Sequence, residues 1–173
     1  MISIFTVSKT YSMTGWRVGY VAANDDVVEA MIKIQEPIVS CVNTVAQHAA
    51  IAALTGPQDC VQEMLEHYLK RRDLAVKLAD DLGLTVSYPQ GAFYMLVDIS
   101  GQPLNSMDFA CELLEEKEVT VAPGCAFGDL CDRYVRISLC ASEEALTTGL
   151  MRLAHHLSQP SSQVPSLQSL GAT

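Results

Sequence analysis

A chain of 173 residues with 49% hydrophobic residues is long enough to bury a sizeable core, and its formal charge of −9 excludes the clustered basic surface that nucleic acid or an anionic membrane requires. Its six cysteines, at 41, 60, 111, 125, 131 and 140, form no CxxC pair and no zinc-type spacing, so they are expected to be mostly buried small hydrophobes of a reducing compartment. Met1 opens directly onto a strand pattern with no basic segment and apolar signal core, so no targeting peptide is visible and a cytoplasmic location is expected.

Ile2, Ile4, Phe5 and Val7 precede Lys9, and Val18, Tyr20, Val21 and Ala22 follow Arg17, so both flanks read as buried strands. Lys9 and Arg17 stand eight residues apart. Fully extended, that would separate them by about 26 Å, too far for both side chains to grip one small molecule. The chain must therefore fold back at Ser12 to Gly15. A lysine at the end of a buried strand can be partly desolvated and have its pKa lowered by nearby cations, which frees the amine to attack a carbonyl. Arginine offers a planar fork of donors suited to phosphate or carboxylate. Taken by themselves, a lysine and an arginine around a turn are more often two solvated surface charges.

Asp26 and Glu29 make a capping-box-like start for a helix ending near Pro37. A second helix, from about Thr44 to Leu54, is closed by Gly56 and Pro57 and is apolar on most sides, the pattern of a helix covered by other structure. The segment Ser40 to Thr44 before it reads as a helix cap, or else as a contribution to a partner's site. The stretch from Pro37 to Gln58 lacks charged residues, but Pro37, Asn43, Gln47, His48 and Gly56 interrupt it, so it is not a membrane span. From Pro57 to Leu82, the spacing of Val61, Leu65, Tyr68, Arg72, Ala75, Leu78, Ala79 and Leu82 predicts one long amphipathic helix ended by Gly83.

Strands are then expected near Leu84 to Ser87 and Ala92 to Asp98, followed by a helix begun by Ser106 with Phe109, Ala110, Leu113 and Leu114 on one face. Further strands near Val119 to Ala122 and Tyr134 to Leu139 precede a helix capped by Ser142, with Glu143 and Glu144 favouring its positive end. This alternation fits an α/β domain. His155 and His156 are adjacent on the last helix and point about 100° apart, the wrong geometry for sharing a metal, and no metal site is expected. From Ser158 onward the chain is uncharged and aperiodic and reads as a disordered tail.

The thirteen residues Ser8 to Tyr20 resemble the pyridoxal phosphate attachment site of the class I and II aminotransferases, the fold type I enzymes, and most closely the aspartate and aromatic aminotransferase branch. Arg71-Arg72-Asp73, Pro89 to Tyr94, Pro123-Gly124 with Phe127-Gly128, and Tyr134 to Ser138 follow in the family's order. The resemblance implies a fold type I architecture present in part. Residues 1–56 would be a remnant of the large cofactor-binding domain, 57–82 the linking helix, 83–157 the small α/β domain and 158–173 the tail. It also implies that Lys9 is catalytic and forms the Schiff base with pyridoxal 5'-phosphate, and that Arg17 binds the cofactor phosphate. Thr6 and Ser8 are similar to the small hydroxyl positions before the lysine, with Thr6 where family members more often have serine. Arg136 occupies the position of the arginine that binds the substrate's α-carboxylate. Of Phe93 and Tyr94, one ring is expected in the core, since strand neighbours face opposite sides; Pro123 and Gly124 are expected to serve a turn.

The activity so implied is amino-group transfer from an amino acid to a 2-oxo acid, with Lys9 as general base and acid, in a homodimer or paired with a full-length subunit. The family's phosphate-binding loop, cofactor-stacking ring, asparagine, pyridinium-pairing aspartate and tyrosine, all upstream of the lysine, cannot be placed in this chain. The strands around Lys9 and Val18 would then lack neighbours and leave apolar faces uncovered. The alternative expectation is a catalytically inactive truncated aminotransferase acting only as a structural or interaction module. A Ser8–Lys9 hydrolase dyad is a weaker reading, because neighbours on a strand point to opposite faces.

Overall fold

The apolar runs flanking Lys9 and Arg17 pair as an antiparallel hairpin, β1 (Ser3–Thr6) with β2 (Gly19–Ala22), in the register Ser3↔Ala22 through Thr6↔Gly19. Phe5 and Tyr20 face each other across it with stacked rings 4.9 Å apart. Gly19 is required by this pairing, since a Cβ there would run into the Phe5 carbonyl oxygen. In this computed structural model, which describes residues 1–159, the hairpin lies in the first of two compact units, Met1–Leu65 and Glu66–Thr173. The expected tail lies outside the described residues except for Ser158 and Gln159.

In the first unit, the expected burial of the two strands is not met: Ile4 is 77% exposed and Phe5 45%, because a two-stranded ribbon buries little by itself. Only past the strand end does the chain go inward, at Val7 and Ser8. Helix α1 (Asp25–Val39) starts after Asn24, whose extended backbone takes the cap position expected of Asp26. It also runs past Pro37, and the Ser40 N–H still reaches the Glu36 carbonyl at 3.0 Å. A proline this close to the end removes one bond without breaking the last turn. Helix α2 (Thr44–Thr55) is capped by Asn43, whose side chain accepts the Ala46 N–H at 3.1 Å. The covering expected for this helix extends to Ala46 and Ala50, while Val45, Ile51 and Leu54 are exposed.

Helix α3 (Asp59–Asp81) contains the boundary between the units and ends as the sequence indicates. Gly83, at φ +70°, donates to the Asp80 carbonyl and Leu84 donates to that of Ala79, closing the helix in a left-handed cap.

The second unit is built on a four-stranded antiparallel sheet of order β3-β4-β6-β5, with β3 Val86–Ser87, β4 Tyr94–Asp98, β5 Ala122–Pro123 and β6 Tyr134–Ser138. Met95 and Val97 alternate inward along β4, and Val135 does so on β6. Two apolar clusters cover that inner face. Ala75 and Ala79 of α3 pack with Met95, Leu139, Leu146 and Leu150; Phe109 and Leu113 of α4 (Ser106–Lys117) pack with Val97, Ile99, Val135 and Leu153. Leu146, Leu150 and Leu153 belong to α5 (Glu143–Leu157), which Ser142 caps by accepting the Ala145 N–H at 3.2 Å.

Asn105 rather than Ser106 caps α4, accepting from the Met107 and Asp108 N–H groups. Ser106 is fully buried and does something else. Its hydroxyl donates to Asp132 Oδ1 at 2.6 Å, its N–H donates to the same oxygen at 3.0 Å, and its oxygen accepts the Cys125 N–H at 2.9 Å. These bonds to its ionised form hold the Asp132 carboxyl below the usual carboxylate range. All six cysteines are free thiols, but the expected burial is not met: Cys41, Cys60, Cys125 and Cys140 are exposed. Small residues of either polarity fit a helix or loop surface, so their burial could not be read from spacing. Among the described residues no helix is long and apolar enough to cross a membrane.

Candidate active site

Lys9 lies three residues past the end of β1, in a turn in which Tyr11 N–H reaches the Val7 carbonyl at 3.3 Å and Ser12 N–H that of Lys9 at 3.2 Å. Two non-glycine residues adopt left-handed backbone here, Ser12 at φ 53° and Arg17 at φ 51°. They bracket a 3-10 turn at Thr14–Trp16 and bring the chain back into register, so the fold-back expected at Ser12 to Gly15 is present. Left-handed backbone is uncommon for residues with a Cβ and marks sites held by their surroundings. The turn is held at Tyr11, whose hydroxyl donates to Gln58 Oε1 at 2.9 Å, and at Ser12, whose hydroxyl meets Met64 Sδ at 3.1 Å.

Thr6, Ser8 and the segment after Arg17 come together at the turn end of the hairpin. Thr6 Oγ1 lies 2.9 Å from Ser8 Oγ, accepts the Ser8 N–H at 3.1 Å and lies 3.4 Å from the Val18 carbonyl oxygen. Arg17 is exposed, and one guanidinium nitrogen donates to the Thr14 carbonyl at 2.9 Å. That bond fixes the fork while its remaining donors face outward. No acidic residue occurs before Asp25, so the segment from Thr6 to Arg17 carries two cations and two neighbouring hydroxyls with no carboxylate of its own. Such a donor set suits an anionic ligand carrying a phosphate, with an amine beside it for a carbonyl group. Arg17 also borders a cleft of about 700 Å³ shared with Trp16 and with Cys41, Val42 and Asn43 of the segment between α1 and α2.

Arg136, in the second unit, lies mid-strand on β6 opposite Leu96 of β4 and Ala122 of β5, on the face away from Val135. Its guanidinium carbon sits 4.0 Å from the centre of the Tyr94 ring and 4.2 Å from that of Phe127. Among the described residues no hydrogen-bond acceptor pairs with its N–H groups. The aromatic faces hold the plane and leave the donor edge for a carboxylate. The sequence weighed Tyr94 and Phe93 without choosing; Tyr94 takes the arginine side, and Phe93 packs against the core. Phe127 was missed as a partner of Arg136, since only the folding of its loop brings it there. That loop starts at Gly124, where a Cβ would collide with the Cys131 and Tyr134 carbonyl oxygens. The Ser106 bonds to Cys125 and Asp132 clamp its two ends.

The α/β chain, with Lys9 and Arg17 at the two ends of one hairpin turn and Arg136 on the sheet of its second unit, is a partial fold type I transferase. The chain belongs to the aminotransferase class I and II family, whose description matches residues 1–153. It is 42% identical over 153 residues to an LL-diaminopimelate aminotransferase of Desulforudis audaxviator, with 88% of this chain and 38% of the relative covered. It is 38% identical over 164 residues to an aspartate aminotransferase of Rhizobium meliloti, covering 88% of this chain and 40% of that one. Among solved structures, an aromatic aminotransferase of Pyrococcus horikoshii superposes with a TM-score of 0.84 at 38% identity, over 89% of this chain and 42% of the other. The chain thus spans about two fifths of the length of these relatives.

Proposed function

We propose that this chain supplies the lysine turn and the carboxylate-binding domain of a pyridoxal-phosphate-dependent aminotransferase that moves an amino group from an amino acid to a 2-oxo acid. The observation that carries this reading is the Lys9 to Arg17 turn, with its two cations, its left-handed residues and no acidic residue before Asp25. Arg17 would hold the cofactor phosphate through its fork, with the Thr6 and Ser8 hydroxyls as further donors. Lys9 would hold the cofactor covalently. When bound, pyridoxal phosphate supplies an aldehyde for amines and a ring that draws electrons from the bonds around the substrate's α-carbon. Lys9 Nζ, freed when the substrate amine takes its place on the cofactor, would take the proton from that carbon and return one as general base and acid. Arg136 pairs with the α-carboxylate through its donor edge and orients the bond to be broken.

In the same reading, residues 1–56 are part of the large domain, 57–82 the linking helix and 83–157 the small domain. The enzyme works in the cytoplasm as a homodimer, or with this chain paired to a full-length subunit. The exposed apolar residues of the hairpin and of α1, such as Ile4, Phe5, Ile34 and Ile38, support a further layer over this unit.

The test is to mix the purified chain with pyridoxal phosphate, reduce with borohydride and map the adduct by peptide mass spectrometry. A single adduct on Lys9, lost in Lys9→Ala, is expected. No adduct, labelling scattered over Lys33, Lys70, Lys77 and Lys117, or an unchanged yield in the variant overturns the assignment of Lys9.

A further inference from the structure

Away from the lysine turn, the interface of α4 and α5 encloses three groups that the proposed reaction does not use. Glu112 and Glu116 stand one helical turn apart on α4, and His156 meets them from α5. Glu112 is 3% exposed and His156 6%, yet Glu112 Oε2 and His156 Nδ1, both fully buried, make no hydrogen bond. Leaving such atoms unpaired is costly, and a carboxylate is the costlier of the two.

The spacing tells what is suited to fill the gap. His156 Nε2 lies 4.0 Å from Glu112 Oε1, and His156 Nδ1 lies 3.7 Å from Glu116 Oε2. A direct charge-assisted bond would close to about 2.8 Å. These separations involve the two opposite ring nitrogens, of which a single ion can take only one, and a tetrahedral ion with bonds of about 2.0–2.2 Å needs its ligand atoms roughly 3.4 Å apart. One ligand atom from each residue lies within 4.8 Å of the others, so small side-chain rotations close the set. The Phe109 ring, its centre 5.2 Å from the imidazole centre and steeply tilted to it, walls the pocket on its apolar side. Lys117 Nζ, 3.7 Å from Glu116 Oε2, is the neighbouring cation at the rim and also donates to Gln159 Oε1.

We propose that Glu112, Glu116 and His156 form a divalent metal site of the zinc class that pins α4 to α5. Two carboxylates neutralise a divalent ion, leaving no net buried charge, and imidazole with carboxylate oxygen suits zinc and its cobalt surrogate. Three protein ligands, two of them buried between the helices, leave one coordination position for water. The site is independent of the aminotransferase reading.

The test is titration of the full chain, first stripped with a chelator, with Co²⁺ alone. One Co²⁺ per chain is expected, with a visible d–d band, no thiolate charge-transfer band in the near ultraviolet, and a raised thermal midpoint. Glu116→Gln, at the more exposed ligand, should weaken binding by about tenfold or more, taking even the loss of an outer-shell partner as a lower guide. Glu112→Gln should do the same, while Glu115→Gln, an exposed neighbour on α4, should leave the titration unchanged. No binding by the parent chain, a thiolate band reporting cysteine ligation, or affinity unchanged from the parent in Glu116→Gln and Glu112→Gln would overturn the site.

Discussion

Two glycine-to-alanine changes in the second unit should move stability in opposite directions. At Gly124 a methyl group meets the Cys131 and Tyr134 carbonyl oxygens, which are backbone atoms in a loop already tied down by Ser106. Overpacking typically costs 1–3 kcal/mol, and a clash with two fixed carbonyls belongs at the upper end, about 3 kcal/mol. At about 4–8 °C per kcal/mol for a domain of this size, the thermal midpoint should fall by on the order of 10–20 °C. Gly149 sits inside α5 with no atom within 4 Å of a built Cβ. Alanine there restrains the unfolded chain and favours helix, so Gly149→Ala should add about 1 kcal/mol and raise the midpoint by about 4–8 °C. Thermal unfolding followed by circular dichroism compares the parent chain with both variants. Equal midpoints for the two variants would refute the claim that close backbone approach, rather than glycine's general flexibility, selects Gly124. Because Gly124 opens the loop carrying Phe127, its variant should also loosen the ring over Arg136.

Arg136→Ala should spare the borohydride-fixed cofactor adduct while weakening amino-acid binding by about tenfold or more, since the lost bonds are charge-assisted; loss of the adduct itself would place Arg136 in cofactor binding instead. The Asp132 carboxyl is held low by the Ser106 hydroxyl and then by its N–H, so its contribution to stability is complete above the unfolded pKa near 4 and fades as the pH falls toward the lowered folded value. Asp132→Asn should therefore flatten the acid side of the stability profile measured by urea unfolding, and an unchanged acid slope would contradict the Ser106 clamp. Asn105→Ala removes an oxygen that caps two N–H groups of α4 and should cost about 1 kcal/mol by the same measurement. A midpoint unchanged within error would mean water replaces the cap at no cost.

What could be read from the chain alone is what depends on neighbours in sequence. The fold-back between Lys9 and Arg17 was legible because side chains eight residues apart can serve one small ligand only if the chain turns, and the hairpin register shows that turn. The ends of α2 and α3 were legible because Gly56, Pro57 and Gly83 act through local backbone conformation. Caps were legible only to within a residue or two, since Asn24 and Asn105 compete with equally able neighbours and packing decides which side chain stays outside. Ser106 begins α4 as the sequence reads, but its hydroxyl is spent on Asp132 and Cys125, reached only when the loop folds over α4. The exposure of four cysteines, the turn of Tyr94 and Phe127 toward Arg136, and the meeting of His156 with Glu112 and Glu116 were all set by tertiary structure. Sequence periodicity tells which face of an element is apolar; which polar groups meet across two elements depends on how those elements pack.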